Sequence, residues 1–370
     1  MSLVTPPPAA PPKLGGIDHL EWWVGNARAF TAFLASSFGF DVVAHAGPET
    51  GRRDRVSYLL AQGDVRFLVT GALQPDAPVA EHVRRHGDGI RDIAFLVDDV
   101  DGAYAGALAR GATGLRSPAD DVDDNGVIRH AAIATYGETV HTFLDRRRYH
   151  GPFAPGFEPA DLPRPVGPDV GLVRIDHVVG NVELGTLAEW VGYYERVLGF
   201  EALVHFSDEA IATEYSALMS TVVWNGDKVV LPINEPAAGR RKSQIEEYLD
   251  YYGSPGVQHI ALATPDVVAA VRALRARGVR FLRVPATYYD DARRRMAGVD
   301  LDWATLAELG ILVDRDHEGF LLQIFSENAT DRPTVFFEII QREGARGFGE
   351  GNFKALFEAI EREQDRRGNL

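Results

Sequence analysis

The sequence predicts an α+β fold of two tandem domains, each built from paired βαβββ modules. The first of three supporting observations is an internal repeat. Residues 16–20 (GIDHL) recur as residues 174–178 (RIDHV), and residues 89–94 (GIRDIA) are paralleled by residues 256–261 (GVQHIA). The two motif pairs keep the same order and are separated by similar distances, as duplication of a unit of roughly 150 residues predicts.

The second observation is the order of periodicities within each half. In the second half, Ile175, His177 and Val179 alternate with other residues, which is typical of a strand with one buried face. Apolar residues at helical spacing then run through 187–198, and a further helical pattern at 267–278 ends in glycine. Strand-like runs occur at 229–233, 319–325 and 335–340. This sequence of strand, helix and strands predicts the βαβββ module.

The third observation is a proline-rich break between the two halves. Six prolines occur between Pro152 and Pro168, which neither a helix nor a central strand accommodates. We therefore predict a disordered proline-rich tail at 1–15, a first domain at 16–150, a linker at 151–171 and a second domain at 172–370.

The last predicted element is a C-terminal helix. Asn352 is predicted to cap its amino end, and four apolar residues follow at the spacing of one helical face: Phe353, Leu356, Phe357 and Ile360.

Composition excludes several classes of function. The 370 residues carry a net charge of −15, which disfavours binding to nucleic acid or to an anionic membrane. The absence of cysteine excludes disulfides, thiolate metal sites and cysteine nucleophiles. With no apolar run of about 18 residues and no signal-peptide pattern, we expect a cytoplasmic protein whose metal, if it has one, is held by His, Asp or Glu.

Three polar residues interrupt apolar strands of the second half: His177, His259 and Glu338. A single strand histidine is more often a hydrogen-bonded core residue than a ligand, and Arg342 could pair with Glu338. Together, however, two histidines and a carboxylate from separate strands suit a facial site that leaves positions open on a metal. The same set can hold zinc, although the helical spacing of zinc proteases is absent. Asp92 replaces the second histidine in the first half, so that half is expected to be a scaffold without metal.

These residues lie within motifs that identify a family. The motifs occupy 176–183, 213–218, 232–236, 242–244, 256–259, 322–325, 331–334, 337–339 and 347–353. Over nearly its whole length the chain resembles the 4-hydroxyphenylpyruvate dioxygenase family of the vicinal-oxygen-chelate superfamily. The resemblance implies an open, barrel-like sheet in the second domain that encloses the metal, and a terminal helix that acts as a lid.

The resemblance also implies a reaction and a set of site residues. One Fe(II) per chain, bound by His177, His259 and Glu338, would support conversion of 4-hydroxyphenylpyruvate and O2 to homogentisate and CO2, in tyrosine and phenylalanine catabolism. A homodimer or homotetramer is implied as well. The implied catalytic residues are Gln244, Asn234, Ser220 and Gln323; the implied substrate-binding residues are Gln258, Phe325, Phe336, Phe348, Phe353 and Pro232.

Two alternatives remain open from the sequence. A 4-hydroxymandelate synthase would use the same substrate and metal but hydroxylate the benzylic carbon, and residues 232–234 resemble the ring-hydroxylating family instead. A non-catalytic ligand-binding member of the superfamily is the other alternative, and the intact His/His/Glu set argues against it.

Overall fold

The computed structural model describes residues 10–160, 162, 166–206, 217–237 and 242–368, without the side chains of 206, 217, 350, 353 and 354. The described part of the first half has three α-helices and nine strands. The helices are α1 (Ala27–Phe38), α2 (Pro78–His86) and α3 (Val100–Ala109). The strands are β1 (Leu14–Val24), β2 (Asp41–Ala46), β3 (Arg55–Gln62), β4 (Val65–Ala72), β5 (Gly89–Val97), β6 (Gly114–Asp123), β7 (Gly126–Ala134), β8 (Val140–Asp145) and β9 (Glu158–Pro159).

The described part of the second half has eight strands and six α-helices. The strands are β10 (Arg174–Asn181), β11 (Glu201–Phe206), β12 (Ala217–Trp224), β13 (Val230–Ala237), β14 (Gly256–Ala263), β15 (Leu312–Arg315), β16 (Phe320–Phe325) and β17 (Phe336–Glu343). The helices are α4 (Leu187–Tyr193), α5 (Gln244–Tyr252), α6 (Val267–Ala276), α7 (Thr287–Arg295), α8 (Trp303–Leu309) and α9 (Glu350–Arg367).

Each half forms one sheet, and apart from β9 at the edge of the first sheet the two sheets have the same strand order. The first runs β6-β7-β8-β5-β1-β4-β3-β2-β9, and the second, read from its other edge, runs β15-β16-β17-β14-β10-β13-β12-β11. Each sheet therefore joins two βαβββ modules through the pairing of their first strands, β1 with β5 and β10 with β14. The predicted α+β fold and the duplication are confirmed. No helix in the described ranges is long and apolar enough to cross a membrane.

The predicted tail and linker both contribute to the first sheet. Strand β1 begins at Leu14, so the last two residues of the predicted tail belong to it, whereas residues 1–9 lie outside the described residues. Within the linker, β9 pairs with β2 at the edge of the sheet. An edge strand tolerates Pro159 because it needs fewer ladder hydrogen bonds than a central strand.

A shared hydrophobic core holds the two halves together. Phe337 of β17 packs among aromatic side chains of the first half, with ring centroids 4.6 Å from Phe38 and 5.9 Å from Trp22. Because side chains of a strand alternate between its faces, Phe336 and Glu338 point to the opposite side. One strand thus anchors the halves with one face and supplies the candidate site with the other.

The amino end of α9 differs from the sequence prediction. The helix begins at Glu350 and is preceded by Gly349 at φ 74°, a left-handed conformation that favours glycine. Asn352 is therefore not the cap. Its buried Oδ1 instead accepts a hydrogen bond from the hydroxyl of Tyr288, on a helix that the sequence patterns did not predict.

Candidate active site

The three candidate ligands meet on neighbouring strands of the second sheet. His177 on β10 and Glu338 on β17 are both paired with Ala261 of β14, the strand between them, and His259 lies two residues away on β14. His177 Nε2 is 3.2 Å from Glu338 Oε2, and His259 Nε2 is 3.5 Å from the same oxygen. All three side chains are buried. Ligand atoms at right angles around an ion at about 2.1 Å lie about 3.0 Å apart, so the cluster has the size of a metal site.

Two β-bulges orient the histidines. The ladder between β10 and β14 skips Asp176 on one strand and Gln258 on the other, the residues directly before His177 and His259. A bulge changes the direction in which a side chain points. Asp176 Oδ1 accepts a hydrogen bond from His177 Nδ1 at 2.8 Å, and Gln258 Oε1 accepts one from His259 Nδ1 at 2.9 Å. Both Nε2 atoms are thereby left to face Glu338.

Arg342 pairs with Asp176 and not with Glu338, so the alternative role considered for it is wrong. Its Nη2 donates to Asp176 Oδ1 at 2.8 Å and its Nε donates to Oδ2 at 3.0 Å. Its Nη1 donates to the carbonyl of Gly347 at 2.6 Å, and its guanidinium lies 5.5 Å from the centre of the Phe348 ring. Arg342 thus fixes the Asp176 carboxylate that orients His177, and it also positions the turn before α9.

The electrostatics of the cluster favour a bound cation. Burial disfavours the charged forms of His177 and Glu338. The Glu338 carboxylate nevertheless raises the pKa of His177 to about 9, and the two histidines lower the pKa of Glu338 to about 2. Without a metal, the carboxylate therefore holds a proton on His177. A divalent cation offers the same charge compensation to three converging donor atoms, so the residues fit a metal.

Most of the predicted site residues line one cavity next to this cluster. The predicted residues in its wall are His177, Ser220, Pro232, Asn234, Gln244, Gln258, His259, Phe325, Phe336, Glu338 and Phe348. Gln323 is not in the wall. It is buried on β16, with its amide against Gly349 at the start of α9. The side chain of Phe353 lies outside the described residues.

Five apolar residues of the cavity wall were not predicted: Val179, Leu218, Val222, Leu356 and Phe357. Strand alternation offered a signal for Val179, which follows His177 by two positions. Leu356 and Phe357 belong to the apolar stripe of α9, but a stripe alone does not reveal what it covers. Asp176 and Arg342 were not predicted as supports of the metal site, since 166 positions separate them.

The first half keeps the first histidine of this site and its supporting aspartate and arginine. His19 Nδ1 donates to Asp18 at 2.7 Å, and Asp18 is paired with Arg146, whose guanidinium lies 5.1 Å from the Phe153 ring. Asp92 occupies the place of His259 and accepts hydrogen bonds from Thr142. The ladder between β5 and β8 puts Thr142 at the position of Glu338. Asp92 and Thr142 therefore replace two of the three ligands, and only the first histidine is kept as His19.

Comparisons with known proteins show the superfamily and the family to which the chain belongs. The family model of the Glyoxalase/Bleomycin resistance protein/Dioxygenase superfamily matches residues 16–146 and 174–324, so the chain is a member of this superfamily. The 4-hydroxyphenylpyruvate dioxygenase of Neurospora crassa is 45% identical over 97% of this chain and 93% of its own. That of Dictyostelium discoideum is 47% identical over 96% of this chain and 100% of its own. The chain belongs to the 4-hydroxyphenylpyruvate dioxygenase family.

A solved structure is also similar over the whole molecule. It is an engineered variant of 4-hydroxymandelate synthase from Streptomyces coelicolor, 36% identical, with a TM-score of 0.82 over 96% of this chain and all of its own.

Proposed function

We propose that this chain converts 4-hydroxyphenylpyruvate and O2 to homogentisate and CO2, with one Fe(II) per chain. The observation that carries the proposal is the buried set of His177, His259 and Glu338 beside a largely apolar cavity. Curated relatives 45% and 47% identical are named for 4-hydroxyphenylpyruvate dioxygenation, which supports the substrate and the reaction.

The ligand set suits iron. Two imidazoles and one carboxylate on one face of an ion leave the remaining positions open, as in non-haem Fe(II) oxygenases. When bound, Fe(II) supplies O2 activation and coordination of the substrate's 2-oxo acid. Asp176 and Gln258 keep the Nδ1–H tautomer of both histidines, so that their Nε2 lone pairs are available to the metal.

The cavity wall suits a phenol. Phe336 stacks on His259 with ring centroids 4.8 Å apart, and Phe325 lies 6.2 Å from the same imidazole, so the aromatic surface begins at the metal position. Ser220 and Asn234 are cross-strand neighbours in the wall and offer a hydroxyl and an amide to the substrate's ring hydroxyl. Gln244 adds a second amide at the start of α5.

Helix α9 and the turn before it exclude water from the cavity. Phe348, Leu356 and Phe357 contribute apolar surface to the wall from this side of the molecule. Excluding water from the site limits unproductive side reactions. Because the candidate ligands and the cavity lie in the second half, we assign residues 172–370 as the catalytic domain and residues 16–150 as the scaffold.

The alternative product is 4-hydroxymandelate, because a structurally similar protein is named for that synthesis. The named dioxygenases, at 45% and 47% identity against its 36%, favour homogentisate.

Product analysis tests the proposal. Purified protein reconstituted anaerobically with Fe(II) is mixed with 4-hydroxyphenylpyruvate and O2, and the products are separated by chromatography. We expect homogentisate and CO2 in equal amounts, with one O2 consumed for each. 4-Hydroxymandelate as the main product would support the alternative, and a protein that binds substrate without consuming O2 would support a ligand-binding role.

A further inference from the structure

A second cluster of ligand-type side chains lies in the first half, away from the candidate active site. His82 and His86 lie one turn apart on α2, and Glu138 lies in the turn between β7 and β8. His82 Nδ1 is 3.3 Å from Glu138 Oε2, and His86 Nε2 is 3.4 Å from the same oxygen. Both imidazoles are almost fully buried, whereas the Glu138 side chain is 32% exposed. The distances match those of the His177 cluster.

One ring nitrogen of His86, Nε2, has no hydrogen-bond partner although it is buried. Its Nδ1 is 2.6 Å from the backbone carbonyl of Tyr252, and a carbonyl only accepts, so Nδ1 carries the proton. In the neutral ring, Nε2 then presents a lone pair to the Glu138 carboxylate, and no hydrogen bond satisfies this buried atom. A lone pair facing an anion is unfavourable unless a cation lies between them. An Nδ1–H bonded to a carbonyl is also the usual support of a metal-binding histidine.

The contacts of Glu138 direct one of its carboxylate oxygens at both histidines. His82 Nδ1 lies 3.3 Å from Glu138 Oε2 and donates to it, so a cation bound here would take the place of that proton. Arg85 donates to Glu138 Oε1 at 2.5 Å, which keeps the carboxylate ionised and leaves Oε2 facing the histidines.

We propose that His82, His86 and Glu138 bind a divalent cation of the zinc class. Two imidazoles at helical i, i+4 spacing and one carboxylate form a ligand set that zinc accepts, and imidazole donors select zinc-like ions over magnesium or calcium. The exposed side of Glu138 leaves room for water as a fourth ligand. The expectation of a first half without metal rested on the His19 position, and the new site lies elsewhere in that half.

The site would act as a clamp between the two halves. It joins α2 to the β7–β8 turn, and His86 continues the connection to α5 through the Tyr252 carbonyl and by stacking on the Tyr252 ring at 4.7 Å. Helix α5 begins with Gln244, which lines the cavity of the candidate active site. This inference does not rest on the proposed oxygenase activity.

Equilibrium dialysis against Zn2+ tests the proposal. Iron-loaded protein is dialysed against micromolar zinc, and both metals are counted per chain. We expect one zinc in addition to one iron, together with a higher melting temperature. Glu138→Gln preserves shape and lies at the surface, and we expect it to lose the zinc and the thermal shift while retaining iron. His150→Gln, at an exposed histidine, is the matched control and should retain both metals.

Three results would overturn the proposal: no zinc beyond the iron equivalent, zinc that enters only as iron leaves, or full zinc binding by Glu138→Gln. Glu338→Gln separates this site from the active site, because it should lose iron and keep the zinc. Failure of the zinc site thus leaves the iron site untouched, and the reverse also holds.

Discussion

Each ligand histidine of the candidate iron site follows a bulge residue that holds its Nδ1. For His177 this residue is Asp176, itself fixed by two hydrogen bonds from Arg342. The same trio of aspartate, histidine and arginine occurs around His19 in the first half, where Asp92 and Thr142 replace the other two ligands. The support therefore belongs to the duplicated fold, and the ligands at His259 and Glu338 distinguish the second half.

Substitution of the supporting carboxylate tests this division. Asp176→Asn keeps an acceptor for His177 Nδ1 but removes the charge that strengthens the bond, so we expect Fe(II) affinity to fall about 10- to 100-fold. Anaerobic Fe(II) titration with a competing chelator measures the change. Asp18→Asn, at the equivalent position of the first half, is the matched control and should bind iron as the wild type does. Equal losses in both variants would mean that the effect is one of overall stability.

At the scale of elements, the position of α9 depends on contacts at its two ends. Asn352 binds Tyr288 near the first turn, and Arg367 in the last turn donates to the buried carboxylate of Glu247 on α5 at 2.7 Å. The middle of the helix contributes Leu356 and Phe357 to the cavity wall. These hydrogen bonds connect α9 to α7 and α5, and neither of them involves a candidate metal ligand.

Loss of the Arg367 contact should loosen the carboxyl end of α9 without affecting iron. Arg367→Met leaves Glu247 with its buried carboxylate less well paired, which costs about 1–3 kcal/mol. We expect faster hydrogen exchange across α9, a higher KM for the 2-oxo acid and unchanged iron content. Arg366→Met is the control, because Arg366 is exposed and pairs with Glu363 of its own helix. Unchanged exchange in Arg367→Met would show that the apolar contacts of α9 alone hold the helix.

At the scale of the whole molecule, the duplication and the succession of strands and helices follow from the sequence, but the orientation of several site residues does not. Regular alternation places Gln258 on the face opposite His259, and only the bulge, which depends on the pairing of β10 with β14, brings it to the histidine. Likewise, the partner of Arg342 lies on a strand of the other module, so sequence proximity favoured Glu338 instead. Local patterns predict elements, and long-range pairing decides the contacts between them.

A buried histidine at the junction of the halves makes stability depend on pH. His141 Nδ1 donates to the Ile93 carbonyl and its Nε2 accepts from the Tyr194 hydroxyl of the second half. Burial lowers the pKa of His141 from 6.5 to about 4. Between these values the unfolded chain binds the proton and the folded chain does not, so stability falls as the pH falls from 6.5 toward 4.

Removal of this titration should make the protein less sensitive to acid. The penalty from His141 reaches about 2 kcal/mol near pH 5, and His141→Gln cannot incur it. We expect the variant to lose less stability than the wild type between about pH 7.5 and about pH 5, as measured by denaturant unfolding at both values, even if it is less stable at the higher pH. A pH dependence identical to that of the wild type would place the acid sensitivity in other groups.

Iron content of Glu338→Gln tests the central claim most directly. Glutamine keeps the size of the side chain but removes the charge that offsets the metal, while Glu343→Gln, at the exposed end of the same strand, serves as the control. After anaerobic reconstitution with Fe(II) and removal of free metal, we expect one iron per chain in the wild type and in Glu343→Gln, and almost none in folded Glu338→Gln. Full iron in Glu338→Gln, with undiminished homogentisate formation, would contradict the assignment of the metal centre.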